Sequence, residues 1–221
     1  MNARKVFIFG FAALLISAFS LPVNAQKSSS VIKNGKALYK ENCLVCHQAD
    51  AIGKAGVAPS LTNPEFLATS SNKFLEGTIR DGREDTGMSP FAHLGRSKVR
   101  AIVAYLRSNA KLPNRSAEID GQSAAIGDVA MGRTWYMNIC STCHGSAGNG
   151  YESEGAGTAI GLAGFLDKAS DGFIRETIAK GRSNTRMLPF QGPEGLANLS
   201  NQQIDDIIVY LRHQLKSKVE K

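Results

Sequence analysis

All four cysteines of the chain fall into two copies of one five-residue pattern, Cys43-Leu44-Val45-Cys46-His47 and Cys140-Ser141-Thr142-Cys143-His144. Two thiols at this spacing can add across the two vinyl groups of a porphyrin. The histidine that follows is then placed under the iron as an axial ligand. Other chemistries use part of the pattern. A C-x-x-C alone serves thiol–disulfide exchange or forms half of a zinc site, and cysteines of an exported chain form disulfides. A redox pair has no need of the adjacent histidine and accompanies a βαβ unit that this sequence lacks. A four-cysteine zinc site leaves both histidines unexplained. Two copies of C-x-x-C-H therefore point to two covalently attached haems, held by Cys43, Cys46 and His47, and by Cys140, Cys143 and His144.

A methionine follows each pattern in a shared frame, Gly-Arg-x-x-x-x-Met-x-Pro-Phe, at Gly82–Phe91 and Gly181–Phe190. A thioether in a loop between two helices can complete the coordination of the iron opposite the histidine and raise its potential. A methionine that merely fills a core gap is common, but two such residues need not share a ten-residue frame. Met88 and Met187 are thus the expected sixth ligands, with iron held by His47 and Met88 and by His144 and Met187. Met131 and Met137 have no counterparts in the first copy, where Asn34 and Lys40 stand, and are expected in the core or on the surface. His93 follows Met88 closely enough to replace it, yet reads as a solvated loop residue. His213 lies near the end of the last helix, where a positive ring suits the dipole. Arg83 and Arg182 recur in register and fit either haem propionates or exposed loop charges. Trp135 reads as packing.

The elements that must position these residues also recur. Gly35-x-x-x-Tyr39-x-x-x-Cys43 returns as Gly132-x-x-x-Tyr136-x-x-x-Cys140. Phe66-Leu67, Phe74 and Ile79 return as Phe165-Leu166, Phe173 and Ile178, and Tyr105-Leu106-Arg107 as Tyr210-Leu211-Arg212. A period near that of a small domain marks a tandem duplication. Val99, Ile102, Val103 and Leu106 share one helical face, as do Ile204, Ile207, Ile208 and Leu211. Ser200 followed by Gln203 predicts a capping box. No stretch alternates with period two, so the expected fold class is all-α: two tandem domains, each wrapped around a haem. Ser108 to Asp128 has loop composition. The expected division is 1–25 signal peptide, 26–110 first domain, 111–127 linker and 128–221 second domain.

Met1 to Ala25 has the pattern of a secretory signal: Arg4 and Lys5, an apolar stretch from Val6 to Leu21, then Pro22 before Val23-Asn24-Ala25. The stretch is short for a bilayer-spanning helix. The expectation is a periplasmic protein with no integral membrane span after signal cleavage. Residues 26–115 carry 14 Lys and Arg against 7 Asp and Glu, whereas residues 116–221 carry 10 against 12. A basic first domain suits an acidic redox partner. Nucleic acid is a poor partner for a chain without a basic helix.

The chain resembles a dihaem member of the class I cytochromes c, with an organisation similar to the cytochrome c-four type. The resemblance implies that the first and last helices of each domain cross near the haem. Gly35 and Gly132 would stand where a small residue permits close approach, and Tyr105 and Tyr210 where an aromatic faces it. It also implies a proline whose carbonyl receives the histidine ring N–H; Pro59 suits the first copy. In the second copy Ile160 aligns there, after a longer glycine-rich loop. The function implied is electron transfer between redox protein partners. A haem enzyme of peroxidase or sulfur-compound dehydrogenase type, with one open or labile axial site, is the alternative. So is the electron-accepting cytochrome subunit of a larger dehydrogenase or oxidase.

Overall fold

The computed structural model describes residues 23–153 and 155–219, and the segment read as a signal lies at its outer edge, with residues 1–22 outside that description. Among the described residues there is no strand, only an isolated bridge between Lys54 and Ala58. Among the described residues the chain is all-helical, in two domains of the same design.

In the first domain, α1 (Val23–Asn42) crosses α5 (Gly95–Arg107). Ile32, Gly35, Leu38 and Tyr39 form the inward stripe of α1, against Val99, Ile102, Val103 and Leu106 of α5, each at most 3% exposed. The crossing is set by Gly35, where any Cβ would overlap the Ala101 carbonyl. Tyr39 and Tyr105 then meet with ring centroids 5.4 Å apart. Between the crossing helices lie α2 (Leu44–His47), α3 (Pro64–Thr69) and α4 (Asn72–Asp81). Asn63 and Ser71 cap α3 and α4 by accepting from Phe66 N and Phe74 N.

The linker is more ordered than its composition implies. Within it α6 (Ser116–Asp120) forms, buries Ile119 and seats against a glycine of the second domain, Gly172, where a Cβ would strike the Ile119 carbonyl. The expectation of a plain loop from Ser108 to Asp128 is corrected accordingly. Five residues are too few to display a periodicity.

The second domain repeats the plan with α7 (Val129–Trp135), α8 (Ser141–His144), α9 (Ala163–Leu166), α10 (Asp171–Lys180) and α11 (Asn201–Val219). Gly132 lets α7 cross α11, since a Cβ there would overlap the Asp206 carbonyl, and Tyr136 meets Tyr210 at 5.4 Å. The capping box closes as expected: Ser200 N donates to Gln203 Oε1 at 2.8 Å and Gln203 N to Ser200 Oγ at 3.2 Å. The copies differ at Tyr136–Cys140, which is a π-helical segment, whereas α1 runs on to Asn42 as an α-helix.

The domains share a face built on four phenylalanines, two from each copy. Phe74 stacks on Phe173 at 4.9 Å, and Phe66 meets Phe173 and Phe74 meets Phe165 edge-on at 6.4 and 6.3 Å. Burying one such ring is worth about 1.5–3 kcal/mol. The ion pairs at the rim, Lys168–Asp81 at 3.7 Å and Arg115–Glu176 at 3.0 Å, are each worth about 0–1 kcal/mol. The rings hold the domains together, and the charges fix their register.

Candidate haem-binding sites

Each histidine is aimed by a backbone carbonyl. His47 Nδ1 lies 3.0 Å from Pro59 O, and His144 Nδ1 lies 2.7 Å from Thr158 O. With Nδ1–H donated in this way, Nε2 is the nitrogen left to bind a metal. Pro59 is the acceptor that the resemblance implies. In the second copy the acceptor is Thr158 rather than Ile160. The longer loop folds on its glycines, with Gly157 N donating to Cys143 O at 2.7 Å, and this brings an earlier carbonyl over the ring. Gly157 itself lies flat against the histidine: a Cβ there would come within 2.7 Å of His144 Nδ1 and Cε1.

The carbonyl just after each histidine is also tied down. Tyr39 Oη donates to Gln48 O at 2.6 Å, and Tyr136 Oη to Gly145 O at 2.7 Å. Both phenols are pushed above their ordinary range by burial first and by the nearby cysteine second, so they remain donors. Sequence reasoning records Tyr39 and Tyr136 only as marks of the repeat. The spacing of eight residues to each histidine was the available signal.

No disulfide joins the four cysteines. Burial raises Cys43 to about 11 and Cys140 to about 12, the reverse of the depressed values that make a C-x-x-C pair reactive in thiol exchange. Burial lowers His47 and His144; the carbonyl bonds oppose that shift, and at His47 the charge of Arg83 adds to it. Among the described residues no three His, Cys, Asp or Glu side chains converge as a metal cluster, whereas a four-cysteine zinc site requires convergence. The donor set of each copy, two cysteines outside any disulfide and one histidine with Nδ1 committed to a carbonyl, fits a covalently attached haem.

The methionine loops are built alike down to individual hydrogen bonds. Gly82 and Gly181 open them at φ 67° and 66°. Arg83 N donates to Met88 O at 2.9 Å, and Arg182 N to Met187 O at 2.7 Å. Thr86 Oγ1 donates to Arg83 O at 2.8 Å and accepts from Met88 N at 3.2 Å; Thr185 does the same at 2.8 and 3.0 Å. The threonines recur at the fifth position of the frame in both copies, a signal that sequence reasoning missed. Met88 and Met187 are both half-buried. Met131 is exposed, Met137 packs against the core, and His93 and His213 are exposed. Trp135 packs against the core, with its indole N–H buried and without a hydrogen-bond partner.

Arg83 and Arg182 are not exposed loop charges, one of the two expectations stated for them. Arg83 lies over the Phe165 ring at 5.1 Å, and Arg182 over Phe66 and Phe173 at 5.6 and 5.2 Å. Each reaches across the domain interface, and desolvation lowers both to about 10.

Residues 30–106 match the family model for cytochrome c oxidase, cbb3-type, subunit III, and residues 129–214 match the model for cytochrome c. The chain carries two cytochrome c domains in tandem. The cbb3-type cytochrome c oxidase subunit CcoP of Azospirillum sp. (strain B510) is 26% identical over 196 residues, which cover 81% of this chain and 60% of that one. The cytochrome bc1 complex cytochrome c subunit of Mycobacterium tuberculosis (strain ATCC 25618 / H37Rv) is 26% identical over 218 residues, 92% of this chain and 70% of that one. The tandem cytochrome thus spans 60% of the CcoP relative and 70% of the bc1 relative. A chain of the Kuenenia stuttgartiensis reducing HAO-like protein complex superposes with a TM-score of 0.49 at 18% identity, over 83% of this chain and 96% of that one. Cytochrome c domains bind c-type haem covalently, and two domains carry two haems.

Proposed function

We propose that this tandem cytochrome is an exported electron carrier in which Cys43 and Cys46, and Cys140 and Cys143, hold the two haems. His47 and Met88 ligate one iron, and His144 and Met187 the other. The observation that carries this reading is the doubled ligand architecture: two histidines with Nδ1 given to a carbonyl, and two methionine loops with matching hydrogen bonds. When bound, each haem supplies a one-electron couple. The chain aims the imidazoles through Pro59 and Thr158, ties the following carbonyls through Tyr39 and Tyr136, and holds each methionine backbone through a threonine. An iron closed by two protein ligands leaves no place for a substrate, which favours carriage over bond chemistry.

Export follows from the N-terminal segment, with the mature chain expected near Gln26 in a periplasmic compartment. Among the described residues no helix is long and apolar enough to cross a membrane. Redox partners are proteins, and the basic first domain favours an acidic one there. The relatives named as subunits of oxidase and bc1 complexes support a second reading, in which the protein serves as a cytochrome subunit of a larger assembly. The chemistry of the chain is the same in both.

Coulometric titration of the purified holoprotein tests the carrier reading. Uptake of two electrons per chain, with no turnover when hydrogen peroxide or a reduced sulfur compound is added, is the expected result. Turnover of either compound places the protein among the haem enzymes instead.

A further inference from the structure

Arg83 occupies a different place from its repeat counterpart. Its backbone shapes the Met88 loop, yet its side chain enters the second domain. There Nη1 lies 3.4 Å from the carbonyl of Ala159, the residue after Thr158, whose own carbonyl orients His144. The second domain comes directly against it: a Cβ on Gly164 would fall 2.8 Å from Arg83 Cα. Arg83 N also donates to Met88 O at 2.9 Å, which ties it to the first site. No carboxylate among the described residues forms an ion pair with it.

Arg182 also crosses the interface, but it meets different partners. Its nitrogens bond Thr69 Oγ1 at 3.2 Å and Thr177 Oγ1 at 2.6 Å, away from the Pro59 carbonyl. The carboxylates of Glu65 and Glu176 offset part of its charge. Glu65 stands in the first domain where the second has Gly164, so the two arginines meet different charges across the interface.

We propose that Arg83 is a positioning residue shared by both sites, a fixed cation through which the first domain sets the potential of the second haem. This rests on the ligand assignment above. A positive charge fixed in a desolvated region favours the state with one more electron, so Arg83 holds both haems on the more easily reduced side. Because its guanidinium also braces the loop beside Thr158, the second haem responds to the first domain.

The test is a spectroelectrochemical titration of the holoprotein that resolves both haems, with the far-red methionine–iron band recorded alongside. Arg83→Gln is expected to cut the reduced-to-oxidised ratio about tenfold at each haem, a fall of 59 mV for one electron. Arg83→Lys, which keeps the charge, is expected to recover most of that at the first haem. Gly164→Ala, which pushes the second domain off Arg83 without altering charge, is expected to move the second haem alone. Arg182→Gln is expected to change the first haem by less than threefold. A second haem indifferent to Arg83→Gln and Gly164→Ala overturns the inference, as does an equal response to Arg182→Gln. If Arg83→Gln fails to assemble, Arg83→Lys and Gly164→Ala decide on the same criteria. Absence of the methionine band from the unaltered protein instead overturns the ligand assignment itself.

Discussion

His47 and His144 each give one ring nitrogen to a carbonyl, and a tyrosine eight residues earlier holds the carbonyl that follows. The ring is thus fixed from its own edge and from the backbone that carries it. Tyr136→Phe removes one buried hydrogen bond and leaves the Gly145 carbonyl without its donor, at a cost of about 1–3 kcal/mol. The expected outcome is a fall of several degrees in the melting temperature of the holoprotein, with the haem content unchanged. At the methionines, Met88→Leu and Met187→Leu are each expected to remove half of the far-red methionine–iron absorbance. The cysteines, histidines and methionines could be proposed from the sequence because the chemistry read from it demands those side chains at those spacings. Thr158 could not, because a carbonyl donated by the backbone asks for no particular residue type. Thr86 and Thr185 were missed for a different reason: a turn-closing hydroxyl reads as one more polar loop residue until its partners are seen.

At the scale of elements, each domain is a pair of crossing helices whose approach is limited by one glycine. Gly132→Ala forces a Cβ into the Asp206 carbonyl, and overpacking of this kind costs about 1–3 kcal/mol. Because the clash is with backbone, the value is expected at the upper end, measured as a lower urea midpoint and a reduced yield of haem-loaded protein. The YLR arginines complete the frame. Arg107 caps carbonyls of Leu67 and Ser70, and Arg212 those of Leu166 and Ala169, so the last helix of each domain closes the end of the short one beneath it. The apolar stripes of α5 and α11 were readable from periodicity, and every residue assigned to them is buried. The π-helical turn at Tyr136–Cys140 was not readable, since Tyr136 and Cys140 keep the spacing of Tyr39 and Cys43. Propensity does not separate the two backbones.

For the whole molecule, the repeated phenylalanines were visible as sequence marks, but nothing in the sequence says that they face one another. Core rings of two separate domains would show the same pattern. The interface they form is pinned by Glu65, which accepts from Ser183 N at 3.1 Å and Ser183 Oγ at 2.9 Å. Burial alone pushes this carboxyl up, but the hydrogen bonds of its own backbone, Ser183 and Asn63 outweigh it and hold the value below the ordinary 4.5. A depressed carboxyl contributes its stability above the unfolded value and loses it as pH falls through the folded one. Urea midpoints are therefore expected to fall below pH 4.5, and to fall less in Glu65→Gln. The charge difference between the domains gives a further expectation. Association of an acidic redox partner should slow several-fold between 50 and 200 mM salt, on the order of what screening at a Debye length near 10 Å produces, and reversal of Lys40 and Lys54 should slow it at low salt.

The central claim is that both irons are closed by a histidine and a methionine of this chain. The most direct measurement is the optical spectrum of the purified holoprotein, oxidised and reduced, with carbon monoxide added to the reduced form. Far-red methionine–iron absorbance for two haems per chain, and no shift with carbon monoxide, is the predicted result. A carbon monoxide shift amounting to one haem would show an accessible iron and contradict the account.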